Sequence, residues 1–298
     1  MNYSTMKPSE VRTLIRQGRL TGQTSGMCDG YAQGNLLVLP RAQAYDFLLF
    51  TQRNPKSCPL LEVGDVGSRL VKRMAANADI ATDIPKYRVW KNGELAEECT
   101  DISHLWQDDF VYFLIGCSFS FEGELLAAGV PVRHIEEGKN VPMYLTNIDC
   151  EPAGIFHGKL VVSMRPMPAD QVIRAISITA SMPRVHGAPI HIGDPAKIGI
   201  ANINKPDFGD AVTIHDGEIP VFWCCGMTRL LSFPLSFPKR ALRKSIAGLK
   251  ILLVIVSQNK KKVLSQDSFA RRFLLQPKAL LHQRHDLAPE DVLRRGAP

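Results

Sequence analysis

The chain has 298 residues, 45% hydrophobic and 22% charged, with a formal net charge of +7, a composition ordinary for a soluble globular protein and a length that allows one large domain or two smaller ones. The charge is uneven: residues 229–298 hold 15 Lys and Arg against four Asp and Glu, a net of +11, whereas residues 1–228 hold 21 against 25, a net of −4. A membrane span is excluded, because residues 246–256, the most apolar stretch after Thr228, are too few to cross a bilayer and include Lys250.

In chain order, Ser9 is expected to cap a helix over Glu10 to Gln17, closed by Gly18. Residues 35–39 form a compact apolar strand stopped by Pro40. Residues 41–52 read as a helix with Ala44, Phe47, Leu48 and Thr51 on one face. Residues 87–90 and 94–98 flank Asn92-Gly93, a hairpin signal because both turn positions need positive φ. Residues 121–128 look helical up to Gly129, and Arg133 and His134 are expected on a strand at the surface. Residues 159–164 read as a strand ended by Pro166, residues 170–181 as a helix, and Asp216-Gly217 as a hairpin turn before a strand over residues 219–224. Strands and helices interleave without a repeat, so the expected fold class is mixed α/β or α+β. Mixed sheets are flanked by helices, and a second lobe begins between about residues 130 and 141.

The segment from His186 to Pro195, HGAPIHIGDP, cannot be a regular helix. Pro189 and Pro195 lack backbone donors, and Gly187 and Gly193 permit unusual dihedrals. It must be a shaped loop that presents imidazoles and a carboxylate, the kind of segment in which binding and catalysis concentrate. IGI (198–200) and PDFGD (206–210) follow it, and VVSMRP (161–166) precedes it. Upstream lie GQTSG (22–26), NPKSCPLLEVG (54–64), ADIATDIPKY (78–87) and GCSFSFE (116–122), and GEIPVFWCCGMT (217–228) comes after.

This ordered set resembles the D-glutamate cyclase family, whose bacterial members are described as hydro-lyases, and the likeness covers residues 8–228. Family members end soon after the position of Thr228 in a His-Ala-Pro-Gly-His-Met-like stretch. Residues 229–298 lack that stretch and read instead as an atypical basic tail, which leaves activity open. An altered reading frame or an unusual extension accounts for the tail more simply than a nucleic-acid arm does. Runs such as Lys260 to Lys262 would attract phosphates, but no aromatic residues interleave with them for base stacking.

The resemblance implies cyclisation of D-glutamate to 5-oxo-D-proline with loss of water, a lyase reaction of D-amino acid metabolism. The chemistry then needs a base for the α-ammonium, donors for the γ-carboxyl oxygens, an acid for the departing hydroxide and an anchor for the α-carboxylate. Arg165 is the expected anchor, since a guanidinium fork suits a carboxylate. His186 and His191 are the base and acid candidates, because unperturbed imidazole titrates near neutrality; they could equally hold loop backbone. Asp194 either orients an imidazole, acts as base, or caps the following turn. Cys117 and Ser118 lie at a strand-to-helix junction whose amides suit a carboxylate. Glu122, one turn into that helix, faces the same pocket or closes a capping box. Thr24 and Ser25 form a second anion cradle. One pocket is expected to gather Arg165, His186, His191 and Asp194, with the 116–122 junction or the 22–26 loop opposite.

No cofactor is expected, since Gly64 and Gly67 make no phosphate loop and no Gly-Lys-Ser/Thr occurs. Two competing readings stand beside the cyclase: a non-catalytic binder of small carboxylates, and a metal-dependent hydro-lyase or hydrolase built on His186 and His191 with Asp194. The expected partner is a small amino or carboxylic acid; a membrane is not, and an oligomer is left open. Seven cysteines without CxxC spacing suit reduced thiols in a cytoplasmic setting. Lys7, Arg12, Arg16 and Arg19 interrupt any signal peptide, with a mitochondrial matrix location as the alternative.

Overall fold

The computed structural model describes residues 2–91, 94–228, 247–252 and 254–259, and the compact unit runs from Met1 to Leu264. In chain order its strands are β1 (Tyr31–Pro40), β2 (Leu60–Val63), β3 (Lys86–Lys91), β4 (Glu94–Cys99), β5 (Phe110–Gly116), β6 (Met143–Asp149), β7 (Lys159–Pro168), β8 (His191–Ile192), β9 (Glu218–Cys224), β10 (Ala247–Leu252) and β11 (Val254–Asn259). The helices are α1 (Pro8–Arg16), α2 (Arg41–Arg53), α3 (Phe119–Ala127), α4 (Arg133–Glu136) and α5 (Ala169–Ala180).

One sheet has the order β2-β5-β1-β10-β3-β4, with β11 also pairing β1; the other runs β6-β7-β9-β8. Every pairing among the described residues is antiparallel, so the fold is α+β. Two strands of the first sheet, β10 and β11, come from the chain after Thr228.

Strand β1 is apolar on both faces because both are covered, which is why it reads as a continuous hydrophobic run rather than an alternation. Leu36 and Val38 pack with Val71, Met74, Ile80, Ile84 and Tyr87. Leu37 and Leu39 face the other way, joining Phe113 and Ile115 of β5, Phe47 and Phe50 of α2, and Val162, Met164 and Phe222 of the second sheet. That cluster is the core between the sheets. The far face of the second sheet is closed by α3 and α5 through Phe121, Leu125, Val172, Ala175, Met167, Val221 and Trp223. The irregular segment after β2 is fixed by a buried carboxylate: Glu62 accepts from the backbone amides of Lys72, Arg73 and Met74 and from the Tyr112 hydroxyl at 2.7–3.1 Å.

Three local expectations are corrected. Helix α1 starts at Pro8, not after Ser9: proline's fixed φ suits the first helical position, and Glu10 accepts from the Lys7 amide at 2.8 Å. Pro166 does not end β7, which continues to Pro168 along β9. The partner β6 has already left that side of β7 beyond Ser163, so Pro166's missing N–H costs no ladder bond. Gly217 does take a positive φ of 81° before β9, but β9 pairs with β7 and β8 rather than forming a hairpin with the preceding segment. The β3–β4 hairpin forms as expected; its turn at Asn92-Gly93 lies outside the described residues. All seven cysteines are free thiols. No helix among the described residues is long and apolar enough to cross a membrane.

Candidate functional site

Where β5 ends and turns into α3, it passes beneath the 183–185 turn. Gly116 makes that approach feasible: a Cβ there would lie 2.0 Å from the Arg184 carbonyl oxygen. Because the obstruction is backbone, Gly116→Ala should cost at least the roughly 1–3 kcal/mol typical of overpacking and push the His186 loop away from α3. A lowered urea midpoint with reduced ligand affinity is the expected reading, and an unchanged midpoint would count against this account.

Above that junction lies a cavity open to solvent, about 500 Å³ when that open space is counted, with Gln23, Asn35, Cys117, Ser118, Asn140 and His186 as its polar and thiol lining. Phe119, Val141, Met143, Cys225, Gly226 and Met227 complete the wall. Among the described residues the lining contains no Lys, Arg, Asp or Glu.

His186 enters this cavity with φ +85°, a left-handed backbone that a non-glycine residue adopts only when its surroundings impose it. Its Nδ1 lies 3.0 Å from the Lys56 carbonyl oxygen. A carbonyl only accepts, so Nδ1 carries a proton, and in the neutral form of the ring the lone pair is on Nε2. Asn35 of β1 and Asn140 of the loop before β6 line the same space.

Behind Ser118, on the side away from the cavity, Arg165 is wholly buried. Its guanidinium stacks over the rings of Phe121 and Trp223 at 4.9 and 5.5 Å. It donates to Ser163 Oγ at 3.0 Å, Ser118 Oγ at 3.2 Å and Glu122 Oε1 at 2.5 Å. The carboxylate it holds is therefore Glu122 of its own chain, and Arg165 does not line the cavity. This corrects its assignment as substrate anchor: the strand carries it to the middle of a covered sheet face, not to a rim.

Glu122 also accepts from Ser25 Oγ at 2.9 Å and lies 3.1 Å from His134 Nε2. It closes no capping box with Ser118, whose side chain makes no cap. Burial alone would raise the Glu122 pKa, but Arg165 and His134 outweigh it and hold the carboxyl at about 2. A folded pKa below the ordinary 4.5 means that the pair's stabilisation is present above that pH and drains as pH falls towards 2. The midpoint in urea should accordingly drop through this window, and Glu122→Gln should flatten that acid limb.

His191 and Asp194 do not join this site. Arg165 pairs with Val221 and Ile192 pairs with the same Val221, so these three share one sheet face; His191, one residue away, points to the other. Its ring packs against Phe222 at 5.7 Å and its Nε2 donates to the Asp194 carbonyl at 2.7 Å. The Asp194 carboxylate accepts from the Ala196 amide at 3.0 Å, capping the turn at Pro195–Ile198. The expected pocket of Arg165, His186, His191 and Asp194 is thus divided by strand parity. Among the described residues, no group of three or more His, Cys, Asp or Glu is placed to hold a metal ion.

Thr24 donates to Gln33 Oε1 at 2.8 Å and holds its own loop, whereas Ser25 reaches Glu122. Arg133 and His134 are not on a surface strand but on the four-residue helix α4, both buried. Arg133 pairs with Glu218 at 2.6 Å. So short a helix leaves no period in the sequence, and alternating Val130 and Val132 mimic a strand; Pro131 was the one local hint of a helix start.

The family model described as D-glutamate cyclase matches residues 111–241. A relative from Clostridium beijerinckii described as "Putative hydro-lyase" is 68% identical over 228 residues, covering 76% of this chain and 87% of the relative. Similarly described relatives from Thermoanaerobacter pseudethanolicus and Bacillus subtilis are 62% and 59% identical, covering 76% and 75% of this chain and 86% and 87% of theirs. A solved nitrogen repressor-like protein from Methanococcus jannaschii covers 84% of this chain and 96% of its own at 10% identity and TM-score 0.32, a likeness that carries no argument. With identity this high over nearly the whole length of these bacterial relatives, the chain belongs to the D-glutamate cyclase family of hydro-lyases.

Proposed function

We propose that this chain dehydrates D-glutamate to 5-oxo-D-proline in the cavity between His186 and the start of α3. The observation that carries the reading is that an imidazole whose Nδ1 donates to a backbone carbonyl and a helix N-terminus that carries a serine share one cavity. His186 Nε2 takes a proton from the α-ammonium, and the freed amine attacks the γ-carboxyl carbon. A C–N bond closes the five-membered ring. The γ C–O bond then breaks, and its oxygen leaves as one water after collecting two protons, the one His186 took from the ammonium and a second that the attacking nitrogen sheds, again through His186, as it becomes the amide. Negative charge that builds on the second γ-oxygen meets the Ser118 hydroxyl and the amides at the α3 N-terminus. Asn35 and Asn140 supply neutral donors for the α-carboxylate, a role that Arg165 cannot fill from behind the wall. The route needs only groups of this chain.

Incubating the full chain with D-glutamate and following both its loss and the appearance of 5-oxoproline tests the reading. Equal loss and gain supports it. Saturable binding without product would replace it with a non-catalytic carboxylate binder, and no binding at all would overturn both.

A further inference from the structure

The Ser118 hydroxyl sits at a boundary. Ser118 is one of the residues lining the cavity, and its oxygen accepts from Arg165 Nη2 at 3.2 Å. A guanidinium has no acceptor, so this bond occupies a lone pair of Oγ and leaves the hydroxyl proton to point elsewhere. Arg165 is itself fixed from two sides, by Ser163 Oγ on Nη1 and by Glu122 Oε1 on Nη2. Glu122 is fixed by the body of α3 and by Ser25 on its other oxygen, and His134 Nε2 lies at ion-pair distance from Oε1, 3.1 Å away. Arg165 is 0% exposed, and Glu122 and His134 are 1% exposed each. None of the three lines the cavity, so none touches a ligand held there; the bond from Arg165 to Ser118 is the polar route by which they reach it, beside the Phe119 ring that stacks on His134 at 6.4 Å.

We propose that His134, Glu122 and Arg165 form a buried positioning chain that turns the Ser118 hydroxyl proton towards the carboxyl oxygen of a ligand in the cavity. His134 is then a positioning residue for the dehydration, set one helix away from the reacting atoms. As a device for turnover this rests on the cyclase reading; as a device for orienting Ser118 it does not. The physical reason for such a chain is that a serine hydroxyl rotates freely unless one of its lone pairs is claimed. A charged donor in a dry site claims it most strongly.

Two measurements on the full chain, made with Ser118→Ala, Ser118→Thr, His134→Ala and His134→Gln, test this. The first is the ¹⁵N–¹H resonance of the Arg165 Nη2 group in arginine-labelled protein. It should shift in Ser118→Ala and in His134→Ala, and His134→Gln should restore it, because a glutamine amide offers Glu122 a donor at nearly the place of His134 Nε2. The second is steady-state turnover of D-glutamate. Ser118→Ala should lower kcat about 100-fold with KM little changed, while Ser118→Thr keeps most of the rate. His134→Ala should lower kcat about 10- to 100-fold, and His134→Gln should recover it. An Arg165 resonance that stays in place in both His134→Ala and Ser118→Ala would overturn the positioning chain. So would a kcat in His134→Gln no better than in His134→Ala. A wild-type chain that leaves D-glutamate untouched would instead overturn the cyclase reading, and the resonance would still decide the positioning chain.

Discussion

Arg165→Met should lower the unfolding free energy by about 3–5 kcal/mol, among the largest effects of any single substitution in this chain. The figure is the cost of leaving one member of a buried ion pair without its partner. Removing the guanidinium strands the Glu122 carboxylate, which keeps only Ser25 and His134, and leaves Ser163 and Ser118 without their charged donor. The stacking of Arg165 against Phe121 and Trp223 is partly preserved by a methionine thioether, so the loss reports charge more than packing. Adding Glu122→Leu should recover part of the loss, since an apolar pair of similar volume carries no uncompensated charge. Urea unfolding of the two variants measures both effects. A single variant with the parental midpoint would show that the pair contributes little, and a double variant no better than the single would place the cost elsewhere.

His186→Asn should lower turnover of D-glutamate by about 10²–10⁴-fold, the range expected when a positioned acid–base group is removed, with little loss of stability. Asparagine is the informative replacement. It tolerates the left-handed backbone that His186 adopts, and its amide nitrogen can still donate to the Lys56 carbonyl. What disappears is the Nε2 lone pair that the proposed mechanism uses as its base. His191→Asn is the matched control. That ring is on the other sheet face, bonded to the Asp194 carbonyl, and its replacement should leave turnover unchanged. Steady-state kinetics on the two variants separate the histidines. Equal losses from both, or a loss from His191→Asn alone, would reverse the assignment.

Which histidine lines the cavity was not legible in the ten residues that hold both. Their composition announces a loop with unusual dihedrals, and the structure indeed gives positive φ to His186, Gly187 and Gly193. Distance along a loop does not say which side of a sheet each residue meets. That is decided by a two-residue strand, β8, whose register against β9 sends Ile192 to the Arg165 face and His191 to the core between the sheets.

Strands and long helices were legible because burial imposes a period on them. β1, α2, β5, β7, α5 and β9 all fall where apolar runs or spaced apolar residues place them, and the ordered motifs from residue 8 to residue 228 carry the family. The burial of Arg165 was not legible, because one charged residue in an apolar strand reads the same at a rim and beneath a helix. The partner that makes burial tolerable, Glu122, lies 43 residues earlier in the chain and reaches it only when α3 folds over the second sheet. His134 was hidden for the same reason, on a helix too short to leave a pattern. Local sequence therefore determined the elements, the loop and the family. The cavity and the buried chain beneath it arise from contacts between distant segments, and only the tertiary packing of α3, α4 and the second sheet decides them.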